Sequence, residues 1–236
     1  MSARQALWAV VPAAGRGTRM GADIPKQYLP LAGGTVIGHT LTRLATHPAV
    51  QGLVVVLDAD DPLWGQQSLS LPVPIHTVTG GAERYASVLN GLRALDGIAS
   101  PGDWVMVHDA ARPCVRHDDL DHLLSELAQH PVGGILALPV ADTMKRSDAD
   151  GNVLETVSRE RLWRALTPQM FRLQALRQAI EQAVGQRLPV TDEASAMELC
   201  GLRPRLVEGH PDNIKITHPA DLELAGLFIR RQEQQV

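Results

Sequence analysis

The sequence predicts an α/β fold with a mostly parallel sheet covered by helices on both faces. Strand-like apolar runs alternate along the chain with segments in which apolar side chains recur every three or four residues. Several of these runs are apolar at nearly every position, as expected where helices cover both faces of a parallel sheet. The length of 236 residues suits a single domain over residues 1–236.

Five strands and four helices follow from this alternation. The predicted strands are LWAVVPA from Leu7, GLVVVLD from Gly52, IHTVTG from Ile75, DWVMVHD from Asp103 and GGILALPV from Gly133. The predicted helices are ERYASVLNGLRALDG from Glu83, HDDLDHLLSELAQH from His117, TDEASAMELCG from Thr191 and HPADLELAGLFIRR from His218.

A segment between the fifth strand and residue 162 breaks this alternation. It contains DADGN, a hairpin turn signal, between the strand-like stretches TMKRS and VLETVS. We therefore expect a protruding β-arm over residues 139–162. An isolated two-stranded hairpin is marginally stable in water, so the arm packs either on a second subunit or back onto its own sheet.

Composition narrows the classes of protein to consider. The formal net charge is −4, which argues against a general nucleic-acid-binding surface. Cys114 and Cys200 form no CxxC pair, and the histidines lack the spacing of a zinc site. The sequence has no run of about 18 apolar residues and no signal-peptide pattern, so we expect a cytoplasmic protein that does not bind membranes.

The most informative stretch is AVVPAAGRGTRMGADIPKQYLPLAGGTVI, which begins at Ala9. Its glycines do not have the spacing of a Walker P-loop. They do not match a dinucleotide fingerprint either, because the third glycine comes late and the acid that ends the second strand, Asp58, lies too far downstream.

A loop that closes over a nucleoside triphosphate fits this stretch better. Ala13, Ala14 and Gly15 are small enough for their backbone N–H groups to approach anionic oxygens. Arg19 and Lys26 add positive charge, which phosphoryl transfer needs in its charged transition state. The simpler alternative is a strand–helix turn with solvated basic residues.

Two later segments carry further candidates. Asp109 in VHDAARP ends a predicted strand, where parallel sheets bind ligands, and its carboxylate suits Mg²⁺ that also bridges phosphates. It could equally cap the next turn. GGAERYASV from Gly80 offers backbone and Ser87 contacts to a base and ribose, or a simple strand–helix turn.

Seven segments in order resemble the 2-C-methyl-D-erythritol 4-phosphate cytidylyltransferases of the non-mevalonate isoprenoid pathway. The resemblance runs from about Ala9 to the last helix. The segments are PAAGRGTRMGADIPKQY, GGAERYASV, VHDAARP, DTMKR, LTPQ, TDEASAME and EGHPDNIKIT.

This resemblance implies a Rossmann-like nucleotidyltransferase fold and a homodimer that exchanges the β-arm. It implies a Mg²⁺-dependent enzyme that joins CTP and methylerythritol phosphate, a polyol phosphate, to give a cytidine diphosphate alcohol and pyrophosphate. In the reaction that it implies, the substrate phosphate attacks the α-phosphorus of CTP. Some chains of the family carry a second enzyme as a C-terminal fusion; this chain ends soon after its last predicted helix, so we expect a single activity.

The resemblance also implies residue roles. Arg19, Lys26 and Lys215 match catalytic cations, and Lys215 in the strand-like NIKIT also matches a position that holds the substrate phosphates. Arg112, Thr143 and Arg159 match positions that bind methylerythritol phosphate, the last two on the arm of the neighbouring subunit. The matched nucleotide-binding residues are Ala13, Ala14, Gly15, Lys26, Gly81, Ser87, Asp109 and Ala110, with Asp109 as the metal ligand.

Simpler roles remain open for three of these residues and for His108. Thr143 could stabilise the hairpin, and Arg159 could pair with Glu155 or Glu160. Lys215 could be an ordinary residue of the strand-like NIKIT, although a lysine would be an odd residue for a buried face. We expect His108 to be structural. Ala86 stands where the family more often has an acidic residue, and Arg16 is given no role.

Three other functions compete with this one. A ribitol 5-phosphate cytidylyltransferase shares the CTP loop and would differ in the arm and around Arg112. A nicotinamide-dependent dehydrogenase is disfavoured by the broken fingerprint and by the loop cations. A non-enzymatic dimerisation module would not need Arg19 or Lys26.

Overall fold

A computed structural model describes residues 6–15 and 24–234 of the chain. In these residues a seven-stranded sheet has the order β11-β7-β10-β6-β1-β4-β5. Six of its strands run parallel to one another, and β10 runs antiparallel to both of its neighbours. The seven strands are β1 (Leu7–Pro12), β4 (Val50–Leu57), β5 (Ile75–Thr79), β6 (Trp104–Val107), β7 (Gly133–Pro139), β10 (Trp163–Arg172) and β11 (Arg205–Glu208).

Helices cover both faces of this sheet, and two small hairpins lie outside it. The first hairpin is β2 (Pro30–Leu31) with β3 (Gly34–Thr35), and the second is β8 (Met144–Ser147) with β9 (Val153–Val157). The described helices are α1 (Val36–Ala45), α2 (Arg84–Arg93), α3 (His117–Leu127), α4 (Leu173–Gly185), α5 (Glu193–Leu199) and α6 (Pro219–Glu233).

The predicted α/β class, the five predicted strands and the four predicted helices are confirmed. Strands β10 and β11 and helices α1 and α4 were not predicted. The segment NIKIT around Lys215, although strand-like in sequence, forms no strand.

Alternate residues of β1 face opposite layers of the core, which explains why the strand is apolar throughout. Ala9 and Val11 pack on the side of α1 and α3, whereas Trp8 and Val10 pack on the side of α2, α4 and α5. The β1 strand is therefore held on both faces, and the residues that follow it leave the sheet from a fixed point.

The strand order reverses direction beside β1. From β1 the chain goes outward to β4 and β5, and then returns to the other side of β1 as β6. Such a switch point opens a crevice at the carboxyl ends of the two adjacent strands, and α/β sheets bind their ligands there. Ala13–Gly15 follow β1 and Asp109 follows β6, so both lie at this crevice.

The β-arm, residues 139–162, protrudes from the sheet as predicted. Its base is closed by a hydrogen bond from Val140 N to Leu162 O of 3.0 Å, and its tip turns at Asp148–Asn152. Val153 and Leu154 are 62% and 63% exposed. The arm therefore keeps apolar side chains in contact with solvent, and it does not fold back onto its own sheet.

Over residues 6–15 and 24–234, none of the helices is both long enough and apolar enough to cross a bilayer.

Candidate active site

A cleft opens at the carboxyl edge of the sheet, at the switch point between β1 and β6. It gathers residues from five separate parts of the chain: the segments after β1, β5 and β6, the turn that begins at Lys26, and the loop before α6. The lining includes nine of the predicted site residues, which are Ala13, Ala14, Gly15, Lys26, Gly81, Ser87, Asp109, Ala110 and Lys215.

The chain after β1 is anchored on both sides as it enters the cleft. Ala13 N donates to Val56 O at 2.8 Å, and Gln27 Nε2 donates to Ala13 O at 2.7 Å. A Cβ atom on Gly80 would lie 2.7 Å from the Ala14 Cβ, so the two loops approach each other as closely as they do only because residue 80 is glycine. Small residues here therefore let two backbone segments form one wall of the cleft.

The turn between β5 and α2 is held by Ser87. The Ser87 hydroxyl accepts a hydrogen bond from Gly81 N at 3.1 Å, and a Cβ on Gly81 would lie 2.5 Å from the Ala86 Cβ. The small side chain of Ala86 thus packs against the main chain of the turn. Ser87 shapes the wall of the cleft as well as lining it.

Asp109 is the centre of a buried network of charges. Its carboxylate is bound by cations on both oxygens: Arg84 contacts Oδ1 at 3.1 Å, and the Lys215 ammonium lies 2.7 Å from Oδ2. The Arg112 guanidinium lies further away, with Nε 3.8 Å from Oδ2. Burial alone would raise the pKa of Asp109, but the positive charges of Arg84, Lys215 and Arg112 outweigh burial and hold the pKa below its ordinary value.

The backbone beneath Asp109 is held by a chain of hydrogen bonds through His108. Asp109 N donates to Thr167 Oγ1 at 3.1 Å, Thr167 Oγ1 donates to His108 Nδ1 at 3.0 Å, and His108 Nε2 donates to Arg112 O at 3.0 Å. This sequence of donors requires the neutral imidazole. Burial lowers the pKa of His108 to about 4, and the structural role expected for this residue is confirmed by its contacts.

The ammonium group of Lys26 is bound by the loop that carries Lys215. Lys26 Nζ donates to Ile216 O at 2.7 Å, next to Lys215 in the chain. The loop itself is fixed at Ile216, whose N–H donates to Ala111 O at 2.9 Å. Two predicted catalytic cations are therefore brought together: Lys215 lies on a segment attached to the end of β6, and the Lys26 ammonium is bound to that segment.

The predicted methylerythritol phosphate residues are spread over two places. Arg112 is buried beside the cleft, where Nη1 donates to Asn213 O at 2.8 Å, and it does not line the cleft itself. Thr143 and Arg159 lie on the arm and are exposed. Arg159 donates to Ala141 O and not to Glu155 or Glu160, which face Arg146 and Arg161.

The remaining predicted catalytic residue, Arg19, lies outside the described residues, as does Arg16.

Sequence reasoning missed two residues at the centre of the network. Arg84 lines the cleft and contacts both Asp109 and Glu193, whereas Glu193 is almost fully buried behind it. Arg84 lies in GGAERYASV and Glu193 in TDEASAME, two of the segments that carry the family resemblance. The available signal for Arg84 was its position: it is a charged residue at the start of a helix, close to the pair Gly80 and Gly81.

The cleft offers few side chains that could hold a divalent cation. In the part of the chain that the structure describes, no three His, Cys, Asp or Glu side chains cluster as metal ligands. Mg²⁺ uses one or two carboxylates in proteins and takes its other ligands from water and phosphate oxygens. Among the described residues that line the cleft, Glu83 and Asp109 carry carboxylates and Asp109 is the buried one, so the lining offers the ligand type that Mg²⁺ uses.

Known proteins resemble this chain over nearly its whole length. The profile of the 2-C-methyl-D-erythritol 4-phosphate cytidylyltransferase family matches residues 7–231. The enzyme of that name from Pseudomonas aeruginosa is 56% identical over 218 residues, covering 92% of this chain and 93% of its own. The one from Pseudomonas savastanoi is 54% identical over 219 residues, with the same coverage of both chains.

Solved structures agree in fold. The Francisella tularensis 2-C-methyl-D-erythritol 4-phosphate cytidylyltransferase superposes with a TM-score of 0.82 at 36% identity, covering 94% of this chain and 99% of that one. The Thermus thermophilus enzyme superposes with a TM-score of 0.78 at 31% identity, covering 95% and 99%.

Proposed function

The chain belongs to the 2-C-methyl-D-erythritol 4-phosphate cytidylyltransferase family, and on that premise we propose that it transfers CMP from CTP to 2-C-methyl-D-erythritol 4-phosphate. The products are 4-diphosphocytidyl-2-C-methyl-D-erythritol and pyrophosphate. The observation that carries the proposal is the cleft at the switch point, in which Lys26, Lys215 and Asp109 meet the small residues after β1. A cytoplasmic location, where CTP is made, is part of the proposal.

The reaction needs positioning and charge more than it needs a base. An oxygen of the substrate phosphate attacks the α-phosphorus of CTP, and a new oxygen–phosphorus bond forms. The bond from the α-phosphorus to the bridging oxygen breaks, and pyrophosphate leaves with that electron pair. A phosphate monoester is largely ionised at neutral pH, so no side chain has to remove a proton.

Fixed cations supply the stabilisation. Lys26 and Lys215 place ammonium groups on one side of the cleft, and Arg19 adds charge from the loop after β1 in this proposal. Negative charge on the α-phosphate oxygens grows as the attacking and leaving oxygens are both partly bonded. Cations that are already held in place stabilise that charge without having to reorganise during the step.

Nucleotide binding is assigned to other residues that line the same cleft. In this proposal Ala13, Ala14 and Gly15 offer their backbone to the triphosphate, Gly81 and Ser87 contact the cytidine, and Asp109 with Ala110 contacts the ribose. Mg²⁺, held by Asp109 and by phosphate oxygens, would neutralise the triphosphate and orient it.

The arm completes the site from a second subunit in this proposal. Thr143 and Arg159 are exposed on a hairpin that also exposes Val153 and Leu154, so the arm carries both a polar contact set and an apolar surface to bury. We propose a homodimer in which these residues and Arg112 bind the methylerythritol phosphate.

The substrate assignment is tested by pyrophosphate release. The purified protein is assayed with CTP, Mg²⁺ and either 2-C-methyl-D-erythritol 4-phosphate or ribitol 5-phosphate, and again with EDTA in place of Mg²⁺. We expect a higher kcat/KM with the methylerythritol substrate and loss of turnover with EDTA. Faster turnover with ribitol 5-phosphate would refute the substrate, and full turnover with EDTA would refute the metal requirement.

Arm exchange is tested by mixing two inactive variants. Lys26→Ala impairs the site in the subunit that carries the substitution. Arg159→Ala impairs whichever site the arm of that subunit reaches. If arms are exchanged, a mixed dimer has one doubly altered site and one intact site, so a refolded equal mixture regains about a quarter of the wild-type activity. No regain, with mixed dimers demonstrated by mass spectrometry, would show that each arm serves its own subunit.

A further inference from the structure

The Arg84 side chain joins two buried carboxylates. Nη1 and Nη2 donate to the two oxygens of Glu193, at 2.7 and 3.2 Å. Nε and Nη2 donate to a single oxygen of Asp109, Oδ1, at 3.3 and 3.1 Å. The planar guanidinium thus presents one edge to each carboxylate, and the direction of the second edge is set by the grip of Glu193 on the first.

Glu193 is itself held by the start of α5. Asp192 caps this helix by accepting from Ser195 N at 2.9 Å. Gln169 of β10 holds the same turn from the sheet side, because its Oε1 accepts from Ala194 N at 2.8 Å and its Nε2 donates to Asp192 Oδ2 at 2.9 Å. The Glu193 carboxylate is therefore fixed relative to the sheet by contacts that do not involve the cleft.

We propose that Glu193 is a positioning residue, which acts through Arg84 to fix the orientation of the Asp109 carboxylate and thereby the placement of the nucleotide. Glu193 does not line the cleft, whereas Arg84 and Asp109 do. The inference rests on the proposed cytidylyl transfer for the meaning of that placement.

The arrangement separates the two oxygens of Asp109. With Arg84 held by Glu193, both of its contacts to Asp109 fall on Oδ1, and Oδ2 faces Lys215 at 2.7 Å and, further away, Arg112 at 3.8 Å. Without Glu193, the Arg84 side chain, which is 31% exposed, would be released toward the cleft. There it would compete with Lys215 for the Asp109 carboxylate.

This reasoning predicts an unusual kinetic pattern. Removing the negative charge of Glu193 makes the site more positive, so binding of the CTP anion should not weaken. Misplacing Asp109 should nevertheless slow the chemical step, since small errors of position cost about tenfold or more in rate. A variant that is merely damaged structurally would lose CTP binding together with turnover.

The test compares two Glu→Gln variants that each break an ion pair with helix α2. Glu193→Gln removes the partner of Arg84. The matched control, Glu181→Gln, removes the surface partner of Arg93, whose Nη2 lies 2.9 Å from Glu181 Oε1. For Glu193→Gln we expect a kcat about tenfold lower and a CTP dissociation constant, measured by calorimetry with Mg²⁺, within about threefold of wild type. For Glu181→Gln both constants should stay within about twofold of wild type.

A second background decides whether the effect passes through Asp109. In an Asp109→Asn protein the carboxylate is gone, so adding Glu193→Gln should change kcat by less than about twofold. The same tenfold loss in both backgrounds would overturn the proposal, as would a kcat within twofold of wild type in the single variant. If Glu193→Gln does not fold, Glu193→Asp keeps the charge, withdraws the carboxylate from Arg84, and must show a smaller loss of kcat that again disappears in the Asp109→Asn protein.

The two proposals fail in different ways. If the wild-type enzyme does not turn over 2-C-methyl-D-erythritol 4-phosphate, the proposed function is wrong. If it does and the two Glu→Gln variants behave alike, the function stands and the role of Glu193 is wrong.

Discussion

Charged side chains at the carboxyl edge of the sheet and on the β-arm differ in what surrounds them. Asp109 is 8% exposed and is bound by cations on both carboxylate oxygens. On the arm, Arg146 and Glu155 form a pair with a 2.6 Å contact, yet their side chains are 64% and 56% exposed. Water and salt weaken the second pair, whereas the first sits among fixed neighbours. The surroundings of Asp109 at the carboxyl edge are therefore formed within one chain, whereas the charged side chains of the arm remain exposed to solvent.

Replacing a lysine in each region gives the largest expected contrast. Lys26→Ala should lower kcat by about 100- to 1000-fold, because an ammonium held by the Ile216 carbonyl stabilises charge that develops in the transition state. The CTP dissociation constant should change much less. Lys145→Ala on the arm, where the lysine binds Thr156, is the control and should leave kcat within about threefold. Steady-state kinetics and calorimetry measure both; a near-normal kcat for Lys26→Ala would remove it from the catalytic set.

Acid should lower the free energy of unfolding through His108 at the carboxyl edge of the sheet, and not through groups on the arm. His108 is neutral in the folded protein with a pKa of about 4, whereas in the unfolded chain it takes up a proton near its ordinary pKa of 6.5. The unfolded state binds more protons below pH 6.5, so the free energy of unfolding falls as the pH decreases. The loss due to His108 reaches about 3 kcal/mol by pH 4.

Urea unfolding from pH 7 to pH 4 measures this dependence. His108→Gln is less stable at pH 7 because it breaks the chain of hydrogen bonds from Asp109 to Arg112. Its stability should nevertheless decline less steeply with acid than that of the wild type. Equal slopes for the two proteins would show that His108 is not the group that titrates.

Glycine substitutions should separate binding from stability. Gly80→Ala puts a Cβ 2.7 Å from the Ala14 Cβ and forces apart the two backbone segments that form this wall of the cleft, so the CTP dissociation constant should rise about tenfold. Gly151→Ala at the tip of the arm meets no neighbouring atom but has a φ of +87°, so it costs about 1 kcal/mol of stability without affecting CTP. Calorimetry and thermal unfolding measure the two effects. Equal CTP affinities would refute the close approach of residues 14 and 80 as a determinant of the site.

The smallest effect is expected for the exposed pair of the arm. Glu155→Gln should change the free energy of unfolding by less than about 0.5 kcal/mol, and raising the salt concentration should reduce even that difference. A loss of several kcal/mol in urea unfolding would show that the arm is already packed against a partner in the purified protein.

Local sequence patterns predicted what local physics determines. The continuous apolar strands, the DADGN turn and the small residues after β1 each have a signal within about ten residues. Strand β10 does not, because Pro168 interrupts it at a bulge, and a proline argues against a central strand. Helix α1 has a glycine and two threonines among its ten residues, which weakens its helical signal.

The charge network was hidden for a different reason. Arg84 and Glu193 lie 109 residues apart in sequence, and nothing near either residue indicates its partner. Their segments resemble those of a known family, but the pairing of the two residues depends on how α2, α5 and β6 meet at one edge of the sheet. Long-range pairing of this kind follows from the fold and not from any short motif.

Strand β10 joins the two regions, and this limits how the chain can change in length. It leaves the arm at Trp163 and reaches Thr167, whose hydroxyl holds the main chain of Asp109. One residue inserted between them would turn every following side chain of the strand to the opposite face and remove that hydroxyl from Asp109. Insertions at the exposed tip, around Gly151, meet no such constraint. Natural variation in length should therefore occur at the tip of the arm, while β10 keeps a constant number of residues between Trp163 and Thr167.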